Sequence, residues 1–222
     1  MCGRFVQTSS PADIEFSFRT TNPLPNVQPR YNAAPGQDLM VVRRHPDTGQ
    51  RSLDLLRWGL TPHWAKEAKV AWNHINARAE SVDKRPAFRF AYRKRRCLVP
   101  ADAFYEWKQE GTRKQPYAIA LRGRELFAFA GLWENWQDPE TEQWVRTFTI
   151  ITTDANELLA PIHDRMPVII GPEDYERWLM PASDAKDLLR PYPAELMTAW
   201  PISTRVNSPR NEGAELLEGI AA

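Results

Sequence analysis

Phe104-Tyr105-Glu106-Trp107-Lys108, the short link Gln109 to Gln115 around Gly111, and Tyr117 to Leu121 form the stretch from which the fold is read. Two brief β-rich runs separated by a glycine-containing turn are the signature of an antiparallel hairpin, because a parallel pair needs a long crossover. The same grammar extends outward. Leu39 to Arg43, Leu53 to Trp58, Cys97 to Val99, Leu126 to Leu132, Thr147 to Thr153 and Val168 to Ile170 read as further strands, and Arg122-Gly123-Arg124 reads as another hairpin link. Helices are few: a start at Ser10-Pro11-Ala12-Asp13, then Pro86 to Arg96, Asn156 to Ala160, Glu173 to Leu179 and Ala185 to Leu189. Thr21 to Pro35, with Pro23, Pro25 and Pro29, reads as a proline-rich loop. The expectation is an α+β fold: a single domain over residues 1–222, with a strongly curved, barrel-like antiparallel sheet and peripheral helices.

Composition narrows the function classes. With 222 residues, 42% hydrophobic and 26% charged, the chain matches ordinary globular usage and excludes disorder, collagen and coiled coil. Its longest apolar runs, such as Leu126 to Leu132, fall far short of the ~20 residues of a membrane span. A net charge of +1 excludes a histone-like coat, so any nucleic-acid contact comes from a local patch. Cys2 and Cys97 make neither a disulfide framework nor a zinc-site spacing, and MCGRFVQTSS lacks the apolar core of a signal peptide. The reading is a cytoplasmic protein, without metal or other cofactor.

Four positions are candidates for chemistry. Cys2 follows the initiator methionine, which is ordinarily removed ahead of a small residue, leaving an α-amine and a thiol on one residue. Their reference pKa values, about 7.7–8.0 and about 8.5, leave appreciable reactive forms near neutrality. A 1,2-aminothiol is matched to an aldehyde: the amine condenses to an imine and the thiol closes a thiazolidine on the same carbon. On the residue alone, a small side chain at a frayed end is the reading that prevails.

Glu106, flanked by aromatics, reads as a partly buried acid whose raised pKa suits proton donation, against the alternative of an exposed strand acid paired with Lys108 or Lys114. A regular strand puts Glu106 and Trp107 on opposite faces, so a shared site requires an end, a bulge or a rim there. His163, in Ile162-His163-Asp164-Arg165-Met166-Pro167, is either a proton carrier or a turn cap. Asn76 and Arg78, in Ile75-Asn76-Ala77-Arg78-Ala79-Glu80, pair an amide for a sugar oxygen with a guanidinium for a phosphate.

Aromatic Trp64, Trp72 and Trp107 interleave with Arg4, Arg78, Arg85 and Arg165, a combination suited to single-stranded nucleic acid. The run Arg89, Arg93, Lys94, Arg95, Arg96 reads as a solvated helix face with no catalytic role.

Met1-Cys2-Gly3-Arg4-Phe5, Arg30-Tyr31-Asn32-Ala33-Ala34-Pro35-Gly36, Trp58-Gly59-Leu60, the Asn76 and Glu106 segments, Ile162 to Pro167, and the closing Val206-Asn207 and Asn211-Glu212-Gly213 together resemble the SOS response-associated peptidase (SRAP) family. The resemblance spans nearly the whole chain. It implies a mixed fold with curved antiparallel sheet and no metal, and a protein that recognises abasic sites in single-stranded DNA and shields them in a thiazolidine crosslink through an exposed N-terminal cysteine.

Carried over by motif, Cys2 is the nucleophile, Asn76 holds the opened sugar, and Glu106 and His163 move protons or position the deoxyribose. Arg4, Arg78 and Arg165 contact phosphates, and Trp107 and Pro35 stack beside the bases, with Trp64 as a further DNA contact. The resemblance also implies removal of its own Met1 and crosslink reversal through the same glutamate. The expected partner is single-stranded DNA containing abasic sites, bound by a monomer at the nucleoid or replication machinery, with no membrane. Two other classes remain open: a thiol peptidase acting on other proteins, and a non-covalent reader of modified or single-stranded DNA.

Overall fold

The computed structural model describes residues 2–123, 125–181 and 183–220. Thirteen strands run in chain order: β1 (Phe5–Gln7), β2 (Arg30–Ala33), β3 (Asp38–Arg44), β4 (Arg51–Trp58), β5 (Asn76–Arg78), β6 (Arg96–Ala101), β7 (Ala103–Glu110), β8 (Arg113–Leu121), β9 (Phe127–Gln137), β10 (Trp144–Asp154), β11 (Arg165–Pro167), β12 (Ile169–Ile170) and β13 (Met197–Pro201). The α-helices are α1 (Pro11–Phe18), α2 (Arg89–Lys94) and α3 (Tyr175–Leu179).

Alternation builds a closed ring. β10 pairs with β4, β4 with β3, β3 with β6, β6 with β9, and β9 returns to β10, so these five strands form a barrel. In β3, Leu39 and Val41 join the inner cluster with Trp58, Cys97, Val99, Phe129 and Phe148, while Met40 and Val42 face the outer cluster under the helices. Gly131 of β9 keeps the interior tight, since a Cβ there meets Cys97 Sγ at 2.9 Å. The hairpin expected over residues 104–121 forms as β7 and β8, joined by Gly111-Thr112, with Gly111 at φ +58°.

A second sheet, ordered β13-β8-β7-β1-β2, covers one mouth of the barrel. Phe5 and Phe104 from this sheet meet Phe129 of the barrel edge to face, with centroids 5.7 and 5.8 Å apart. Helix α1 starts as its sequence predicts: Ser10 Oγ accepts the Asp13 N–H at 3.1 Å and the Asp13 carboxylate accepts the Ser10 N–H at 3.2 Å. The helix buries Ile14 and Phe18, and the Phe18 ring stacks on Tyr175 of α3 at 4.8 Å.

Several elements differ from the sequence reading. The link after β8 is no hairpin, because β13 occupies the free edge of β8 and β9 belongs to the barrel; Arg124 itself lies outside the described residues. Two pairings, β10 with β4 and β10 with β5, are parallel. The 86–96 helix shrinks to Arg89–Lys94, since Arg96 already starts β6, and 156–160 forms hydrogen-bonded turns that run on to His163 instead of a helix. The 185–189 segment is a 3-10 turn over Lys186–Leu188. The proline-rich stretch ends in a strand, β2, seated against β1.

Candidate functional site

The amino-terminal strand positions the first candidate. Phe5 pairs with Phe104 and Val6 with Ala103, and the Tyr105 N–H donates to the Arg4 carbonyl at 3.1 Å. Among the described residues β1 pairs with β7 no further along β7. Phe104 belongs to the Cys2 cluster, and Glu106 follows it two residues on, on the same face. Tyr105 and Trp107 take the other face. Glu106 and Trp107 nevertheless both line one open cleft of about 510 Å³, together with Lys114, His163 and Asn207. The strand is the rim of the cleft, which meets the geometric requirement raised by their alternation.

Cys2 is completely buried, against the expectation of an exposed thiol. Burial pushes its pKa far above the ordinary thiol range, the nearby Glu106 carboxylate adds to the rise, and the charged amino terminus and the Arg4 N–H oppose it. In the chain that retains Met1 the thiol is therefore protonated at neutral pH. Met1 lies outside the described residues.

Glu106 is 2% exposed, and its pKa is pushed up to about 7 by burial, opposed by the positive amino terminus. The alternative partner Lys108 instead pairs with Glu110 at 3.3 Å. Raising a carboxyl from 4.5 to about 7 costs folding stability once the unfolded carboxyl ionises. The cost is absent below pH 4.5, grows between 4.5 and 7, and reaches about 3 kcal/mol above 7. Glu106→Gln is therefore expected to be more stable than the parent at pH 8 and equally stable at pH 4, as read by denaturant midpoints at the two pH values.

His163 Nδ1 accepts the Arg165 N–H at 3.0 Å, which leaves the proton of the neutral ring on Nε2. Burial, reinforced by the charged amino terminus, lowers its pKa, although Asp164 Oδ1 lies 2.9 Å from Nδ1. Asn76, paired with Ile150, donates Nδ2 to the Ile75 carbonyl at 3.1 Å, while its Oδ1 is buried with no hydrogen-bond partner among the described residues. Ile75 packs on the cluster that holds Cys2, so Asn76 is anchored beside it.

The cations differ from one another. Arg78 is exposed and has no ion pair or side-chain hydrogen bond among the described residues. Arg165 is instead held by Asp154 at 2.7 Å, Glu80 at 2.9 Å and the Thr152 carbonyl at 2.8 Å, so its charge is already opposed and its backbone orients His163. Arg4 bonds Asn32 Oδ1 and the Val206 carbonyl, both at 2.8 Å, and the Asn207 carbonyl at 3.1 Å. This clamp ties the amino terminus to the closing segment. Asn207 Oδ1 also accepts the Trp107 Nε1–H at 2.8 Å and holds that ring in place.

A neighbouring recess of about 460 Å³ is lined by Arg4, Pro35, Gln37, Trp72, Ile75 and Arg210 among others. Trp72 lies over the Pro35-Gly36 turn, where a Cβ on Gly36 meets the indole at 3.1 Å and φ is +86°. Trp64 is 57% exposed and lines neither recess, while Trp72 forms the aromatic wall beside Pro35. Asn207 and Lys114 were not singled out as site residues by the sequence; only the closing motif pointed toward Asn207. Among the described residues no group of three or more His, Cys, Asp or Glu side chains is placed to hold a metal ion.

The sequence model of the family described as "SOS response associated peptidase (SRAP)" matches residues 1–209. The chain belongs to that family. It is 45% identical over 225 residues to the abasic site processing protein YoqW of Bacillus subtilis, covering 98% of this chain and 99% of that one. It is 31% identical to the abasic site processing protein HMCES of Xenopus tropicalis, covering 99% of this chain and 78% of that one. A crystal structure of a Bacteroides thetaiotaomicron protein superposes with a TM-score of 0.87 at 27% identity, over 99% of this chain and all of that one. Family membership accounts for the motif order along the chain, and the α+β barrel architecture agrees with that structure. Among the described residues no helix is long and apolar enough to cross a membrane.

Proposed function

We propose that this protein senses and shields abasic sites in single-stranded DNA, capturing the ring-opened aldehyde through mature Cys2. The observation that carries the reading is the electrostatic coupling of Cys2 to Glu106, a carboxyl poised near pH 7 at the rim of an open cleft. Relatives named as abasic site processing proteins support it over the full chain.

Removal of Met1 puts a free amine on Cys2 itself, three bonds from its sulfur. In the proposed reaction this amine attacks the aldehyde carbon, protonated Glu106 gives its proton to the departing hydroxyl, and the resulting carboxylate takes the remaining N–H proton, releasing water and leaving a neutral imine. The thiol then adds to the imine carbon while its proton passes to nitrogen, closing the thiazolidine with net loss of one water. Asn76 Oδ1, which has no hydrogen-bond partner among the described residues, accepts from the amine or from a sugar hydroxyl. Neutral His163 donates Nε2–H to the opened sugar, and the exposed Arg78 neutralises a phosphate.

The same carboxyl serves self-removal of Met1 and crosslink reversal. The chain acts as one domain, as a monomer, in the cytoplasm at the nucleoid or replication machinery. The test uses single-stranded DNA with a natural abasic site beside the tetrahydrofuran analogue, which lacks the aldehyde. A heat-stable adduct with the first and salt-sensitive binding alone with the second supports the reading. Equal non-covalent binding of both, with no adduct, replaces it with a reader. Cys2-dependent cleavage of unrelated proteins replaces it with a peptidase.

Stacking on one exposed indole is worth about 1–3 kcal/mol per base. Trp72→Ala is therefore expected to weaken single-stranded DNA binding about 10-fold or more in fluorescence-anisotropy titrations.

A further inference from the structure

The barrel mouth opposite Cys2 is built from the far ends of the same strands: Arg43 and Arg44 of β3, Arg96 of β6, Trp133 and Asn135 of β9, and Arg146 of β10. They surround a cavity of about 490 Å³, within the range of small-molecule sites. Along β10, Arg146 is six residues, about 20 Å, from Thr152, whose carbonyl holds the Arg165 that orients His163.

Six cations line the cavity: Arg43, Arg44, Lys94, Arg95, Arg96 and Arg146, against Asp47 as the one acidic lining residue among those described. The basic run read as a solvated helix face is thus overturned in part, because Arg96 is only 4% exposed and Arg95 lies over the Phe90 and Trp133 rings. Arg43 pairs with Asp54 at 2.8 Å, Arg95 with Glu134, and Arg44 with Glu176 at 3.0 Å. Arg146 reaches Asp54 only at 4.0 Å, and Lys94 and Arg96 have no carboxylate partner among the described residues.

The Arg96 guanidinium bonds to the Met180 and Ser183 carbonyls and Ser183 Oγ, and its buried Nε has no partner among the described residues. Desolvation lowers the pKa of Arg43, Arg95 and Arg96, meaning that their charges are held at a cost an incoming anion relieves.

We propose that this mouth is a phosphate-binding site, taking the phosphates of a nucleotide or the terminal phosphate of a nucleic-acid strand. Guanidinium forks held in place by carbonyls and aromatic faces are preorganised for phosphate oxygens, and three cations with weak or no acidic partners supply the charge. The site stands apart from the proposed aldehyde chemistry and does not depend on it.

Calorimetric titration of the full chain in low-salt chloride with pyrophosphate, ADP and a 5′-phosphorylated oligonucleotide beside its unphosphorylated twin tests the proposal. One equivalent of pyrophosphate or ADP is expected to bind. Binding is expected to fall at least tenfold in Lys94→Gln/Arg146→Gln and to persist in Lys94→Arg/Arg146→Lys, while adduct formation with abasic DNA stays at the parent rate in both. A preference for the phosphorylated oligonucleotide assigns the strand end, and binding of ADP alone assigns a free nucleotide. Absence of binding by every probe, or binding that the Gln variant leaves intact, overturns the proposal.

Discussion

Cys2→Ala is expected to abolish the heat-stable DNA adduct altogether while leaving single-stranded DNA binding within about twofold. The thiazolidine needs sulfur and nitrogen on one residue, and Cys97, the remaining cysteine, is buried inside the barrel behind Gly131. Its thiol is also raised by burial, so it cannot substitute. Cys2→Ser retains the amine and is expected to give a labile imine, seen on denaturing gels only after borohydride reduction. Parent-like yield from Cys2→Ala removes the proposed nucleophile. The burial of Cys2 sharpens the expectation further: a chain whose Met1 is retained holds its thiol protonated and has no aminothiol, so it should be as inert as the alanine variant.

Glu106→Gln is expected to slow adduct formation by about 10²–10⁴-fold, the usual contribution of a positioned general acid. The pH profile separates this role from a purely structural one. With Glu106 near 7, its proton-bearing form declines as pH rises through 7, while the amine, with a reference pKa of about 7.7–8.0, gains its reactive form over the same interval. The parent rate is therefore expected to be bell-shaped, with a maximum between the two. The Gln variant loses the falling limb and rises monotonically to a lower plateau. Because the same substitution relieves a buried charge, it is expected to gain stability above neutrality as it loses rate, an opposition that a packing defect does not produce. A variant whose rate and stability both fall, with the bell intact, contradicts the assignment.

Much of the barrel was legible because its strands alternate two apolar faces. Leu39-Met40-Val41-Val42 sends residues alternately inward and outward, and each face has a cluster waiting for it. Short pieces were not legible: β5 (Asn76–Arg78) and β13 (Met197–Pro201) carry little pattern of their own and exist because β10 and β8 offer open edges. Ring closure between β9 and β10 is likewise a property of registers far apart in sequence.

At the site, Glu106 and His163 were recognisable from residue type and neighbours. The roles of the arginines were not, since only the fold reveals that Arg165 meets Asp154 and Glu80 whereas Arg78 forms no ion pair among the described residues. The place of Trp72 was hidden for the same reason: a turn with positive φ at Gly36 brings its indole over Pro35.

The most direct measurement is the intact mass of the protein before and after incubation with an abasic oligonucleotide. The account predicts a starting protein short by one methionine, shifted by the oligonucleotide mass less one water, with the linkage on the first residue by peptide mapping. An adduct on a chain that still carries Met1, or one mapped to any other residue, contradicts it.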